Sequence, residues 1–124
     1  MARILVIDDS ESVRLTLEYF LVGLGHSVTL VSDGPAGIRE ATVGRFDLLM
    51  VDVNMPGMSG LAVCAELRRE PGHASLPIVI MTGAMNRLVA DWACRAGASV
   101  VISKPFDWDS LKAMIDQKVA VRSN

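Results

Sequence analysis

The feature that most restricts the fold of this 124-residue sequence is an alternation, repeated five times, of short apolar runs and longer segments of helical periodicity. The apolar runs are rich in β-branched residues and apolar enough for central positions in a sheet: RILVID (3–8), SVTLV (27–31), FDLLMV (46–51), PIVIM (77–81) and SVVIS (99–103). Strands and helices that alternate in this way form an open parallel sheet covered by helices on both faces. The pattern therefore predicts an α/β fold.

Five helices are predicted from periodicity, capping residues and helix-stop signals. Their expected bounds are Ser10 or Glu11 to about Leu24, 34 to 44, Ser59 to about Arg69, Asn86 to Arg95, and Asp107 to about Val119. Gly25 is expected to stop the first helix in the left-handed conformation. In the fourth helix, Trp92 shares a helical spacing with Leu88, Val89 and Ala96, which predicts a packed face.

Length and composition exclude several classes of protein. The chain has the size of one domain, residues 1–124, and its formal charge of −2 offers no basic surface for direct nucleic-acid binding. Its apolar runs fall short of the roughly 20 residues that span a bilayer. The start MARILVIDD turns acidic too early for a secretory signal, which favours the cytoplasm. Cys64 and Cys94 lack CxxC spacing and are expected to be buried free thiols.

Polar residues stand at the carboxyl ends of four of the five predicted strands. Asp8 and Asp9 end the first, Asp52 the third, Thr82 the fourth and Lys104 the fifth. In open parallel sheets the functional crevice lies beyond these ends. Taken singly, an aspartate here can cap a helix, the threonine can begin a turn and the lysine can be solvated. Separate structural roles of this kind would all have to hold at the same four strand ends. A single site shared by these residues is therefore favoured.

The residue types at these strand ends indicate a particular chemistry. Three carboxylates brought close together repel one another unless a proton or a cation neutralises them. Oxygen ligands without nearby His or Cys suit Mg²⁺, which often completes its shell with phosphate oxygens. An aspartate can also act as the nucleophile in phosphoryl transfer. We therefore expect Asp52 to accept a phosphoryl group whose oxygens are contacted by Lys104 and Thr82.

The same residues resemble a known family, the receiver domains of two-component response regulators, including the single-domain chemotaxis receivers. The segments that match, in order and at the family's spacing, are ILVIDDS, LLMVDVNMPGMSG, PIVIMTG and AGASVVISKPF. Together they cover nearly the whole chain. The resemblance implies a flavodoxin-like, doubly wound, five-stranded parallel sheet in the order 2-1-3-4-5 with five helices. It also implies a cis peptide bond before Pro105.

The resemblance further implies the roles of the site residues. Asp9, Asp52 and the backbone carbonyl of Asn54 would ligate Mg²⁺, and Asp8 would hold the ion largely through water. The donor would be a phosphohistidine on a histidine kinase or phosphotransfer protein. The output would be altered binding of a downstream protein by the surface of the fourth helix, fifth strand and fifth helix. The chain would then be a switch that catalyses only its own phosphoryl transfer and dephosphorylation, with no output domain in these residues.

Two positions depart from the family pattern. Val101 stands where many receivers carry a switch aromatic, and Ala84 is small and neutral, which leaves access for an attacking water.

A haloacid-dehalogenase-type phosphatase also uses an aspartate nucleophile, but its Asp-x-Asp motif has Asn54 in place of the second acid here. An FMN-binding flavodoxin would need a Ser/Thr/Gly-rich loop where DDSES stands. Turnover of phosphate esters or a yellow colour would distinguish these alternatives.

Overall fold

The computed structural model describes residues 1–123, with side chains to Ala120, so the predicted domain 1–124 ends one residue outside the described part. The strands are β1 (Arg3–Ile7), β2 (Ser27–Val31), β3 (Leu48–Asp52), β4 (Ile78–Thr82) and β5 (Val100–Ser103). The helices are α1 (Glu11–Gly23), α2 (Gly34–Val43), α3 (Gly60–Arg68), α4 (Arg87–Ala96) and α5 (Trp108–Ser123). A short 3-10 helix, Pro71–His73, precedes β4.

The strands form one parallel sheet in the order β2-β1-β3-β4-β5, which confirms the predicted flavodoxin-like topology. Successive residues of a strand point to opposite faces, and the sheet accordingly separates two cores. Leu5, Leu49 and Ile78 belong to the core beneath α2, α3 and α4. Ile4, Leu48 and Val79 belong to the core beneath α1 and α5. Because all neighbouring strands are parallel, the carboxyl ends of all five strands lie at one edge of the sheet.

Burial varies across the sheet more than the sequence pattern predicts. All of β3 and β4 is buried, because each lies between two strands and two helical layers. The outer strands β2 and β5 are only partly buried, because each pairs with a single neighbouring strand, as the predicted order 2-1-3-4-5 requires. The register pairs Asp52 with Met81 and Thr82 with Ser103, so both polar residues end their strands within the hydrogen-bonded ladder.

The helix termini follow the predicted capping residues. The side chains of Ser10, Ser59 and Asn86 each accept a hydrogen bond from the backbone N–H three residues ahead. Gly25 has φ of 93°, the left-handed conformation expected at the end of α1. The starts of α1, α3 and α4 are therefore each fixed by the side chain of the capping residue that precedes the helix.

Helix α4 is where the sequence-based prediction fails. Trp92 and Leu88 are 47% and 54% exposed, so the predicted packed face is wrong for these two large residues. The helix instead packs through small side chains, with Ala93 buried in the core and Ala96 against it. Cys64 is buried as predicted, but Cys94 on α4 is exposed, which corrects the second thiol. Within the described residues, no helix is long and apolar enough to cross a membrane.

Candidate functional site

Three aspartates meet at the carboxyl edge of the sheet, as the strand ends predicted. One carboxylate oxygen from each of Asp8, Asp9 and Asp52 can be chosen so that the three atoms lie within 4.8 Å of one another. Asp8 is fully buried and Asp52 is 6% exposed, whereas Asp9 is open to solvent. Two of the acids are thus withdrawn from water and one faces outward.

Lys104 lies between the two buried acids. Its Nζ is 2.8 Å from Oδ2 of Asp8 and 3.1 Å from Oδ1 of Asp52. The backbone N–H of Lys104 donates to the carbonyl of Thr82 at 2.8 Å, which continues the pairing of β4 with β5. The Lys104–Pro105 peptide bond is cis, as the family resemblance implied. The end of β5 therefore delivers an ammonium group directly to the acid cluster.

The pKa values in the cluster are set by burial, by the contacts of Lys104 with the acids and by repulsion between the acids. Burial raises the pKa of Asp52, and Asp8 and Asp9 raise it further against the opposing effect of Lys104. Burial alone would lower the pKa of Lys104, but its contacts with Asp8 and Asp52 outweigh that effect and raise it. With all groups ionised, three carboxylates and one ammonium leave two negative charges in excess. This donor set fits a hard divalent cation such as Mg²⁺.

Thr82 and the loop after β3 complete the surroundings of Asp52. Thr82 is 1% exposed, and its Oγ1 accepts the backbone N–H of Ala84 at 3.1 Å, so the hydroxyl lies at the head of the loop that leads to α4. Asn54 is exposed in the loop after β3. A Cβ at Gly60 would overlap the backbone carbonyl of Asp52, so glycine lets the start of α3 approach the strand end closely.

One residue that contacts the site, Arg14, is not among the site residues predicted from the sequence. Arg14, one turn into α1, donates from Nη1 to the backbone carbonyl of Asp8 at 2.8 Å. Asp8 also accepts the backbone N–H of Ser10 through Oδ1 at 2.9 Å. The only feature of the sequence that indicates this contact is the position of Arg14, one helical turn after the capping residue Ser10.

A groove of about 320 Å³ lies along β5 and α5 and is bordered by Met85 in the loop before α4. The apolar residues along it include Met85, Val101, Phe106 and Leu111. Val101 is partly buried and supplies no aromatic ring. Val101, which stands where many receivers carry a switch aromatic, therefore lines an apolar groove beside the loop that Thr82 begins.

The fold and the acidic site define a class, the aspartate-centred receivers of flavodoxin-like fold, and comparison with known proteins gives the family. A family model described as the response regulator receiver domain matches residues 4–116. The chain belongs to this family, the receiver domains of two-component signal transduction. Receiver domains are signalling switches that bind Mg²⁺ in an acidic pocket and interact with histidine kinases or phosphotransfer proteins.

The curated relatives include proteins much longer than this chain. The transcriptional regulator NtrC of Escherichia coli is 35% identical over 116 residues, which are 93% of this chain and 24% of that protein. The sensory transduction protein RegX3 of Mycobacterium tuberculosis is 31% identical over 115 residues, 93% of this chain and 49% of that protein. The chain thus spans between about a quarter and a half of these relatives.

Solved structures agree over almost the whole chain. The chemotaxis protein CheY4 of Vibrio cholerae superposes with a TM-score of 0.90 at 29% identity, covering 94% of this chain and 98% of that one. The receiver domain of the sensor histidine kinase PA1611 of Pseudomonas aeruginosa gives 0.89 at 26% identity and covers 96% and 98%. That structure holds a magnesium ion in its active-site cleft.

Proposed function

We propose that this chain is the phospho-acceptor unit of a two-component system, in which Asp52 takes a phosphoryl group from a phosphohistidine. The observation that carries the proposal is the cluster of Asp8, Asp9 and Asp52 with Lys104 bridging the two buried acids. Membership of the receiver family supports the same chemistry. The whole chain, 1–124, is proposed to act as one receiver domain.

In the proposed reaction, an Asp52 carboxylate oxygen attacks the phosphorus of the phosphohistidine. A P–O bond forms, the P–N bond breaks, and the imidazole leaves with the electron pair and takes up a proton. The product is an acyl phosphate on Asp52. The reaction needs the ionised carboxylate, and Lys104 at 3.1 Å favours that form against the effect of burial. Water can later hydrolyse the acyl phosphate, and the small Ala84 leaves access for it.

Mg²⁺ is the proposed cofactor, held by Asp9, Asp52 and the backbone carbonyl of Asn54, with Asp8 acting largely through water. A bound divalent ion would neutralise the negative charge shared by the acids and the phosphoryl oxygens. Both Asp8 oxygens already accept hydrogen bonds, from Ser10 and Lys104, which supports an indirect role for Asp8. Asp9 is exposed and free of such contacts within residues 1–120, which supports a direct one.

Lys104 and Thr82 are proposed to contact the transferred group. Lys104 would exchange part of its contact with Asp52 for a charge-assisted hydrogen bond to a phosphoryl oxygen. Thr82 would turn its hydroxyl toward another oxygen and draw residues 83–85 inward. The surface of α4, β5 and α5 would then change its affinity for a downstream protein. With Val101 in place of an aromatic, the loop rather than a ring rotation would transmit the signal.

The acceptor assignment is tested by incubating the protein with acetyl phosphate and Mg²⁺ and measuring intact mass. The parent should gain one phosphate, and Asp52→Asn should gain none because it lacks the nucleophilic carboxylate. Asp91→Asn, at an exposed position of α4, is the matched control and should label like the parent. Equal labelling of Asp52→Asn and the parent would refute the assignment.

The route of the signal is tested by hydrogen exchange with and without beryllofluoride as a phosphoryl mimic. Exchange should change most at residues 82–90 and 99–106. Thr82→Ala should still bind the mimic but lose much of that spread. Thr42→Ala, at an exposed position of α2, should keep the parent pattern. A change confined to residues around Asp52 in the parent, or an undiminished spread in Thr82→Ala, would exclude this relay.

A further inference from the structure

The contact between Arg14 and the backbone of Asp8 lies outside the phosphoryl-transfer roles proposed for Asp52, Lys104 and Thr82. Arg14 is partly buried on the first turns of α1, and its side chain extends back past the Ser10 cap to the carbonyl oxygen of Asp8. The ladders that join β1 to β2 and β3 pair residues only as far as Ile7. Asp8 lies one residue beyond, so Arg14 supplies a donor for its carbonyl where a neighbouring strand does not.

Every polar group of Asp8 is hydrogen-bonded. Its N–H donates to the carbonyl of Val31 at 3.2 Å, and its two carboxylate oxygens accept from Ser10 and Lys104. Arg14 completes the set by binding the carbonyl. Asp8 is thus held from α1, β2 and the end of β5, which makes it the most constrained acid of the cluster.

Asp9 is held quite differently. Within residues 1–120, no hydrogen bond or ion pair restrains its carboxylate, and the residue is exposed. Its direction therefore depends on the backbone that carries it. The carbonyl that Arg14 binds belongs to the peptide unit joining Asp8 to Asp9, and this unit is planar. Fixing the carbonyl oxygen fixes the plane that contains the nitrogen and Cα of Asp9.

From this geometry we infer that Arg14 is a positioning residue, which orients Asp9 toward the metal through the Asp8–Asp9 peptide. The inference rests on the proposed function, because it takes Asp9 to be a magnesium ligand. The groups that orient metal ligands typically contribute about ten- to a hundredfold in metal affinity. A guanidinium suits the task because it stays ionised and holds its donors in a rigid plane, whereas lysine offers a flexible point charge.

The inference is tested by calorimetric titration of the protein with Mg²⁺ alone, compared across variants. Arg14→Met should weaken Mg²⁺ binding about tenfold, and Arg14→Lys should recover part of the loss. Asp9→Asn should weaken binding by itself. In the Asp9→Asn background, Arg14→Met should add less than about a twofold loss, because the two residues act on the same ligand. Arg39→Met, an exposed arginine of α2, is the matched control and should bind like the parent.

The outcomes separate this inference from the proposed function. A parent protein that binds no Mg²⁺, or an Asp9→Asn variant that binds like the parent, overturns the proposed metal site and the inference with it. If Asp9→Asn is impaired while Arg14→Met and Arg14→Lys bind like the parent, only the inference fails. The inference also fails if Arg14→Met weakens Mg²⁺ binding by the same factor in the parent and in the Asp9→Asn background. Thermal melts in EDTA show whether each variant is folded. If Arg14→Met is unfolded, the Mg²⁺ affinity of Arg14→Lys relative to the parent provides the test.

Discussion

The two ends of the sheet each bind a basic side chain, but in opposite chemical surroundings. At the carboxyl end, Lys104 contacts the carboxylates of Asp8 and Asp52. At the amino end, Arg68 at the end of α3 donates from Nε to the carbonyl of Gly97 at 2.8 Å and from Nη1 to the carbonyl of His73 at 2.7 Å. Arg68 thereby ties α3 to the 3-10 helix before β4 and to the turn before β5.

The difference between these ends lies in the charge that remains. The hydrogen bonds from Arg68 to Gly97 and His73 end on neutral carbonyl oxygens, so they link elements of the fold without changing the charge of their acceptors. Lys104 meets three carboxylates, and two negative charges remain in excess when all groups are ionised, so further neutralisation is expected to stabilise the carboxyl end. The acceptors of the cation, neutral carbonyls in one case and carboxylates in the other, therefore distinguish the two ends of the sheet. The following variants test that distinction.

The largest effect is expected for Lys104→Met in the absence of metal. The substitution leaves Asp8 and Asp52 buried without their cation, and breaking a buried ion pair in this way typically costs about 3–5 kcal/mol. Urea denaturation in EDTA measures the loss, and millimolar MgCl₂ should restore part of it because the ion replaces the missing charge. Lys112→Met, which breaks an exposed pair with Asp116, should change little. An unaltered midpoint for Lys104→Met would show that the ammonium does not compensate the acids.

Arg68→Met should have the next largest effect and a different signature. Leaving part-buried carbonyls without their donor is expected to cost about 1–3 kcal/mol. The loss should be the same in EDTA and in MgCl₂, and labelling by acetyl phosphate should persist, because the carboxyl end is untouched. Arg69→Met, at a neighbouring exposed arginine, is the control. A loss that Mg²⁺ reversed would contradict the separation of the two ends.

Asp52→Asn should give the smallest effect, and in the opposite direction. The raised pKa of Asp52 means that folding disfavours its ionised form, so the neutral amide should stabilise the metal-free protein. A gain of about 1 kcal/mol would raise Tm by roughly 3–6 °C for a domain of this size. Thermal melts in EDTA at neutral pH measure the shift.

The pH dependence of that gain follows from the sign of the pKa shift. Between the ordinary value of 3.8 and the higher folded-state pKa, the folded parent binds more protons than the unfolded chain. Parent stability therefore falls as pH rises through this window. The advantage of Asp52→Asn should be full above the folded pKa, shrink as pH falls through it and vanish near 3.8. An advantage that stayed constant across this range would exclude titration of Asp52 as its cause.

The sequence by itself determined the architecture and the members of the acid cluster. Apolar runs of strand length alternating with helical periods allow few arrangements other than a parallel sheet. The polar residues that end those runs, Asp8, Asp52, Thr82 and Lys104, must then share one edge. Caps such as Ser10 were predictable for the same reason, because a cap acts on its own helix within three residues.

Tertiary structure alone decided how those residues differ. Asp8 and Asp9 are neighbours in sequence, yet one is fully buried and the other exposed, since Asp8 is enclosed by its contacts with Ser10, Val31 and Lys104, whereas Asp9 lies in the bend that follows. The exposure of Trp92 and the contacts of Arg14 and Arg68 likewise depend on which surfaces other elements cover. Periodicity shows which residues of one helix or strand share a face. Burial, pKa shifts and hydrogen-bond partners are instead set by segments that are distant in the chain.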